Sequence, residues 1–152
     1  NKASYQVNAQ RYRKELESLL TFMYSYVEQV SSPQRVLVTA HDAFGYFGEA
    51  FGFEVYGLQG ISTQAEAAIF DVNQLASFIA MRKIPAIFVE SSISKRQIIA
   101  VQEAVKAKGW QVAIGGELFS DALGAKDTPE GTYIGMLKHN VTTIVNGLKE
   151  TP

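Results

Sequence analysis

The side chains best suited to bind a metal or to move a proton follow short apolar runs of the sequence. His41 comes directly after the run 35–40, and Glu90 ends the run 86–90. Asp121 follows a later run and an apolar Leu-Phe pair that we expect to aim its loop inward. Imidazole and carboxylate groups bind divalent metals and also act as general acids and bases. These residue types therefore indicate either a metal site or an acid–base centre.

Each of these three residues also has an ordinary structural role open to it. His41 would serve equally well as a hydrogen-bonded histidine near a helix terminus. Asp121 would serve as a solvated loop acid or a helix cap. Glu90 would pair with backbone N–H groups or with an arginine, for which Arg82 and Arg96 are available. Residue type and position alone leave these alternatives open.

Asp42 and His139 are weaker candidates. Asp42 is well placed to cap a helix that starts near Ala43, and we favour capping as its role. His139 lies on the last predicted helix, at a spacing typical of a partly exposed face, and we interpret it as a structural or surface residue. Neither residue is predicted to bind a ligand.

The elements that must position these side chains alternate along the chain. A long amphipathic helix is followed by four units of a strand and a helix, with Pro129 at the first position of the last helix and capping-box spacing at 63–66 and 94–97. The predicted strands are 35–40, 53–58, 86–90 and 110–114, and the predicted helices are 3–30, 43–51, 64–82, 94–108 and 128–149. This order predicts an α/β fold: a four-stranded parallel sheet flanked by helices and preceded by a long helix.

The predicted sheet brings the chemistry-bearing residues to one edge. Ligands of open parallel sheets bind outside the carboxyl ends of the strands. The loops at those ends carry His41, Glu90 and the segment 115–121, which holds two glycines and Asp121. We therefore expect these side chains to lie on the same edge.

Composition excludes several classes of protein. The 152 residues contain no cysteine, so thiolate ligands, thiol nucleophiles and disulfides are excluded. The 14 basic and 15 acidic residues nearly cancel, which gives no electrostatic footprint for nucleic acid. No apolar run approaches the roughly 20 residues of a membrane span. The chain begins at Asn1 inside a helical pattern, so we expect a processed or truncated product.

The common enzyme motifs are absent as well. The sequence has no GxGxxG after the first strand, no GxxxxGK[ST] and no GxSxG. With two histidines in the chain, a catalytic triad has few ways to assemble. We therefore predict that the protein is not an enzyme. The alternative is a flavodoxin-like α/β domain that binds a nucleotide or flavin, with Glu90 or His41 as general base.

Five stretches of the chain carry a more specific signal. They are 38–47 (VTAHDAFGYF), 57–63 (GLQGIST) followed by Glu66, 86–92 (AIFVESS), 115–123 (GGELFSDAL), and 131–136 (GTYIGM) with His139 and Asn140. In order and spacing these stretches resemble the zinc- and manganese-binding receptor proteins of bacterial ABC importers, the TroA-like group. The resemblance covers essentially the whole chain.

The resemblance implies a two-lobed parent protein with a metal ion held between the lobes. Residues 1–30 would be the C-terminal part of the long helix that connects the lobes, and residues 31–152 would be the C-terminal α/β lobe. His41 and Asp121 match the family positions that supply this lobe's two metal ligands. The other two ligands would come from the missing N-terminal lobe, so we expect the isolated lobe to bind metal weakly.

The resemblance also implies cargo, partners and location. The cargo would be Zn²⁺ or Mn²⁺, with Fe²⁺ as a further option, and it would pass to the transmembrane subunit of an ABC permease. The protein would be periplasmic, or anchored as a lipoprotein at the cell surface, and would not bind nucleic acid. The face turned towards the missing lobe should be apolar, so we expect self-association of the fragment through that face.

Overall fold

The computed structural model describes residues 2–59 and 69–149. In chain order the elements are α1 (Lys2–Val27), β1 (Val36–His41), α2 (Gly45–Phe51), β2 (Glu54–Gln59), α3 (Ile69–Arg82), β3 (Ala86–Glu90), α4 (Arg96–Ala107), β4 (Ala113–Leu118) and α5 (Tyr133–Lys149), with 3₁₀ turns at Ser32–Gln34 and Pro129–Gly131. No helix among these residues is long and apolar enough to cross a membrane.

The first helix packs along only its second half. Leu19, Met23 and Val27 are buried, and α1 contacts α5 there. The first half is exposed, including Tyr5 at 74%. The predicted end at residue 30 is three residues late: the N–H of Val30 bonds to the carbonyl of Val27, an i→i+3 pattern that tightens and ends the helix.

The strands confirm the α/β class with parallel strands, but their hydrogen bonds form two pairs. β1 pairs with β2 and β3 pairs with β4, both in parallel. β1 and β3 lie side by side, and every residue of both is buried. The four predicted strands are thus all present, as two two-stranded ladders rather than one continuous sheet.

The fourth strand begins and ends later than the predicted range 110–114. It runs from Ala113 to Leu118 and shifts register opposite Phe88, where Gly115 and Gly116 are accommodated together. A Cβ on Gly115 would lie 2.6 Å from Cε1 of Phe88. Gly116 has φ of +141°, a conformation open almost only to glycine. Paired glycines usually indicate a loop, which is why the sequence pattern ended the strand too early.

Helix starts also differ from the predictions. α4 begins at Arg96, and no side chain caps it. The predicted capping box at 94–97 is therefore wrong. The Ser94 hydroxyl instead accepts a 3.4 Å hydrogen bond from the Arg96 N–H. Pro129 lies in a 3₁₀ turn, and α5 begins later, where the Thr132 hydroxyl accepts a 3.0 Å hydrogen bond from the Gly135 N–H. The capping box at 63–66 lies outside the described residues.

Candidate metal centre

His41 is the last residue of β1 and lies at the carboxyl end of the strands, as predicted. Its side chain is 3% exposed, and both ring nitrogens face carboxylates. Nδ1 lies 2.6 Å from Oε2 of Glu90. Nε2 lies 3.3 Å from Oδ2 of Asp121. The structure therefore brings together all three residues that the sequence singled out.

Glu90 ends β3 directly beside His41. Its side chain has no exposed surface, and Oε1 accepts a 3.0 Å hydrogen bond from the backbone N–H of His41. Pairing with a backbone N–H was one of the predicted roles. The arginine alternative is not observed for Arg82, which bonds to the carbonyl of Pro33 and to Glu54.

The loop that carries Asp121 is held in place at the two preceding residues. The buried side chain of Asn140 on α5 accepts a 3.0 Å hydrogen bond from the Phe119 N–H and donates a 2.7 Å bond to the Phe119 carbonyl. The hydroxyl of Ser120 lies 3.0 Å from that of Ser92, in the loop after β3. The Asp121 side chain itself is 56% exposed. A half-open carboxylate on a braced loop is well placed to face an incoming ion.

His41 Nε2 and Asp121 Oδ2 are as far apart as two ligand atoms that bind the same metal ion. With metal–ligand distances of about 2.1 Å and a tetrahedral angle, two donor atoms lie roughly 3.4 Å apart. The observed distance is 3.3 Å. Within residues 2–59 and 69–149 no group of three or more His, Asp or Glu side chains is arranged to hold an ion. The separation of these two atoms is therefore compatible with both binding one ion.

The backbone that follows β1 is fixed by a tight turn. The carbonyl of His41 accepts hydrogen bonds from the Thr39 hydroxyl at 2.9 Å and from the Ala43 N–H at 3.1 Å. α2 then begins at Gly45, with Phe44 at its N-cap position and no side-chain cap. The predicted capping role of Asp42 is therefore wrong, because the turn delays the helix by two residues.

Gly57 is a residue of the site that the sequence reasoning missed. It lies on β2 beside the end of β1, and a Cβ there would be 2.5 Å from the backbone N of Asp42 and 2.7 Å from the carbonyl carbon of His41. Only glycine lets the two strands close at this point. A lone glycine inside a strand pattern was the available signal.

His139 has the structural role that was predicted. Its Nε2 lies 2.9 Å from the carbonyl oxygen of Glu117, and its ring packs edge-on against Phe119. These contacts brace the end of β4 from α5.

An apolar groove of about 490 Å³ lies beside the pair. We call it the aromatic groove; α1, α2, α5 and the loop after β4 line it with Leu16, Leu19, Leu20, Met23, Ala43, Phe44, Tyr46, Phe47, Ala50, Phe51, Phe119, Ser120, Tyr133, Met136, Leu137 and Asn140. Tyr46 is 91% exposed at its mouth, and Tyr133 is 51% exposed.

Comparison with known proteins identifies the class of protein. The sequence profile of the family described as "Zinc-uptake complex component A periplasmic" matches residues 1–147. The chain belongs to this family of periplasmic metal-binding proteins.

Individual relatives agree with the family match. The chain is 54% identical to the zinc-binding protein TroA of Treponema pallidum, over 91% of this chain and 45% of that protein. It is 47% identical to the manganese-binding lipoprotein MntA of Bacillus subtilis, over 96% and 48% of the two chains. It is 29% identical to the iron ABC transporter substrate-binding lipoprotein MtsA of Streptococcus pyogenes, over 97% and 46%.

The fold comparison gives the same result. The solved structure of the Treponema pallidum protein superposes with a TM-score of 0.89 over 91% of this chain and 50% of that one. The chain therefore spans about half the length of the relatives it matches.

Proposed function

We propose that this chain is the C-terminal, metal-binding half of a two-lobed receptor that delivers a divalent transition metal to an ABC permease. The observation that carries the proposal is the facing pair of His41 Nε2 and Asp121 Oδ2, 3.3 Å apart at the carboxyl end of the strands. Family membership supports the transport role, because the relatives are named as metal-binding proteins and one as an ABC transporter substrate-binding lipoprotein.

His41 and Asp121 are the proposed ligands. An imidazole nitrogen suits Zn²⁺, and a carboxylate suits Mn²⁺ and Fe²⁺ as well, so the pair is compatible with the three metals in the relatives' names. The metal is cargo that must leave again. A half-exposed Asp121 fits that requirement, since it offers one ligand on the open side of the site.

The remaining ligands would come from the part of the relatives that this chain does not match. Residues 1–30 would form the C-terminal part of a connecting helix, and residues 31–152 one lobe. The exposed first half of α1 supports this division, because it packs against nothing in the described lobe. Tight zinc sites need about four ligands, so the isolated chain should bind metal weakly.

The proposed location is outside the cytoplasm, in the periplasm or at a lipoprotein anchor. The support is the wording of the family description and of the relatives' names. Metal binding by a receptor is enough to explain the residues of the site, and we propose no catalytic activity. The flavodoxin-like alternative has no support among the comparisons.

The test is metal affinity in the full-length, two-lobed protein. We expect His41→Ala and Asp121→Ala each to weaken Zn²⁺ or Mn²⁺ binding by more than about 100-fold, above the 10–100-fold typical of groups behind a ligand. Asp42→Ala is the matched control, since Asp42 is an exposed neighbour outside the pair. Competition with a chromophoric chelator measures the affinities. Unchanged affinity in either ligand variant would refute the assignment.

A further inference from the structure

We propose that Glu90 is a positioning residue that holds His41 as the Nδ1–H tautomer, with Nε2 turned towards Asp121 and the metal. The proposal deepens the function above and rests on His41 being a ligand. It assigns a task to a buried carboxylate that does not itself face the ion.

Both carboxylate oxygens of Glu90 contact His41. Oε1 accepts a hydrogen bond from the His41 backbone N–H at 3.0 Å, and Oε2 lies 2.6 Å from the His41 ring nitrogen Nδ1. These two contacts fix the plane of the carboxylate relative to both the backbone and the ring. They also join the ends of β1 and β3, which lie side by side without a ladder.

The contact between His41 Nδ1 and Glu90 Oε2 is short, but its angles are not those of a standard hydrogen bond. Nδ1 of His41 and Oε2 of Glu90 are both buried, and neither has a hydrogen-bond partner of standard geometry among the described residues. The two atoms lie 2.6 Å apart, so a rotation of the imidazole ring that pointed Nδ1–H at Oε2 would give both a partner. A buried carboxylate left without a donor is costly, so the proton belongs on Nδ1.

The consequence for metal binding follows from the tautomer. A neutral imidazole with its proton on Nδ1 has its lone pair on Nε2, the atom that faces Asp121 at 3.3 Å. A carboxylate behind a ligating histidine fixes the ring and makes the ligating nitrogen more basic. Glu90 would thus prepare Nε2 before any ion arrives.

Glu90→Gln is the discriminating substitution. The His41 N–H donates to the Oε1 position, so a glutamine must keep its oxygen there. Its NH₂ group then faces Nδ1 and can only donate, so Nδ1 becomes an acceptor and the proton moves to Nε2. Size and shape are conserved, and the change reverses the tautomer.

The first readout is the tautomer of His41 in this chain, from ¹⁵N NMR of labelled histidine at a pH where the ring is neutral. We expect Nδ1–H in the wild type and Nε2–H in Glu90→Gln. The signal is assigned with His41→Ala, because the chain holds two histidines and that variant leaves only the signal of His139. His139 serves as a reference of opposite tautomer, since its Nε2 faces a carbonyl at 2.9 Å.

Two further variants complete the NMR experiment. Glu117→Gln is the matched control, a carboxylate at the same edge that pairs with Lys95 at 2.8 Å, and it should leave the His41 tautomer unchanged. Glu90→Asp keeps an acceptor-only group and should retain Nδ1–H, even if Glu90→Gln folds poorly. A wild type with Nε2–H, or a tautomer unchanged in Glu90→Gln, overturns the proposal.

The second readout is Zn²⁺ affinity in the full-length protein, measured by chelator competition. We expect Glu90→Gln to weaken binding by roughly 10–100-fold and Glu117→Gln to have no effect. If His41→Ala weakens binding but Glu90→Gln does not, the positioning role fails and the proposed function stands. If His41→Ala has no effect, the proposed function fails, while the NMR result still decides the tautomer.

Discussion

At the scale of single residues, the site is built from one histidine held between two carboxylates that differ in burial. Glu90 has no exposed side-chain surface, whereas Asp121 is 56% exposed. The buried carboxylate suits a fixed structural contact, and the open one suits a ligand that an ion can reach. The two carboxylates therefore have different roles on the same ring.

The sequence predicted the residues of the site better than their contacts. His41, Glu90 and Asp121 were identified because they follow apolar runs, and the strand ends of a parallel sheet converge. Only the family resemblance selected His41 and Asp121 over their structural alternatives. The bonds of Asn140 to Phe119 join positions 21 residues apart, and no local pattern indicates such a pairing.

Asn140 gives a prediction at this scale. Asn140→Leu removes two hydrogen bonds to the backbone of Phe119 and leaves those groups without partners. We expect a loss of roughly 2–4 kcal/mol in unfolding free energy, measured by urea denaturation of this chain. Ser92→Ala is the milder comparison, since it removes one exposed hydroxyl contact. Equal stability of Asn140→Leu and wild type would contradict the bracing role.

Gly57 gives a second prediction. Gly57→Ala places a Cβ against the backbone of His41 and Asp42, which cannot yield as a flexible side chain would. We expect destabilisation of about 1–3 kcal/mol and weaker metal binding in the full-length protein. Gly45→Ala is the control, because its Cβ would meet its nearest neighbour at 3.9 Å. Thermal unfolding separates the two variants; equal effects would argue against the close approach.

At the scale of elements, the predicted order of strands and helices is confirmed, and the errors lie at the ends. β4 was cut short because Gly115 and Gly116 have the pattern of a loop, although the register shift opposite Phe88 accommodates them within the strand. α2 was started too early because the turn at the end of β1 depends on bonds to the His41 carbonyl. Such errors arise where tertiary contacts override local pattern.

The two halves of α1 should contribute very differently to stability. Deleting residues 1–14, which are exposed where described, should change the unfolding free energy by less than about 0.5 kcal/mol. Met23→Ala, in the buried half, should cost about 2–5 kcal/mol. Denaturant unfolding of both variants tests this. A large loss of unfolding free energy on deletion would show that the first half of α1 does pack against the rest of the chain.

At the scale of the whole molecule, the aromatic groove and the metal pair open on adjacent surfaces. Phe119 and Ser120 line the groove and directly precede Asp121 in the chain. A second lobe that completed the ion's ligands would lie close to this apolar surface. The isolated chain leaves it open to water, which favours association with a second copy.

Self-association is therefore expected for this chain alone. Tyr46→Lys and Tyr133→Lys at the groove should shift sedimentation velocity profiles towards monomer. Tyr5→Lys, at a 74% exposed tyrosine near the start of α1 and outside the groove, should leave the profile unchanged. A chain that is monomeric at all concentrations would contradict the expectation.

The central claim is that His41 and Asp121 bind one ion together. The most direct measurement is anomalous diffraction from crystals of the full-length protein loaded with Zn²⁺ or Mn²⁺. We predict a single strong peak about 2.0–2.2 Å from both Nε2 of His41 and an oxygen of Asp121. A peak bound elsewhere, with these two side chains still in direct contact, would contradict the account.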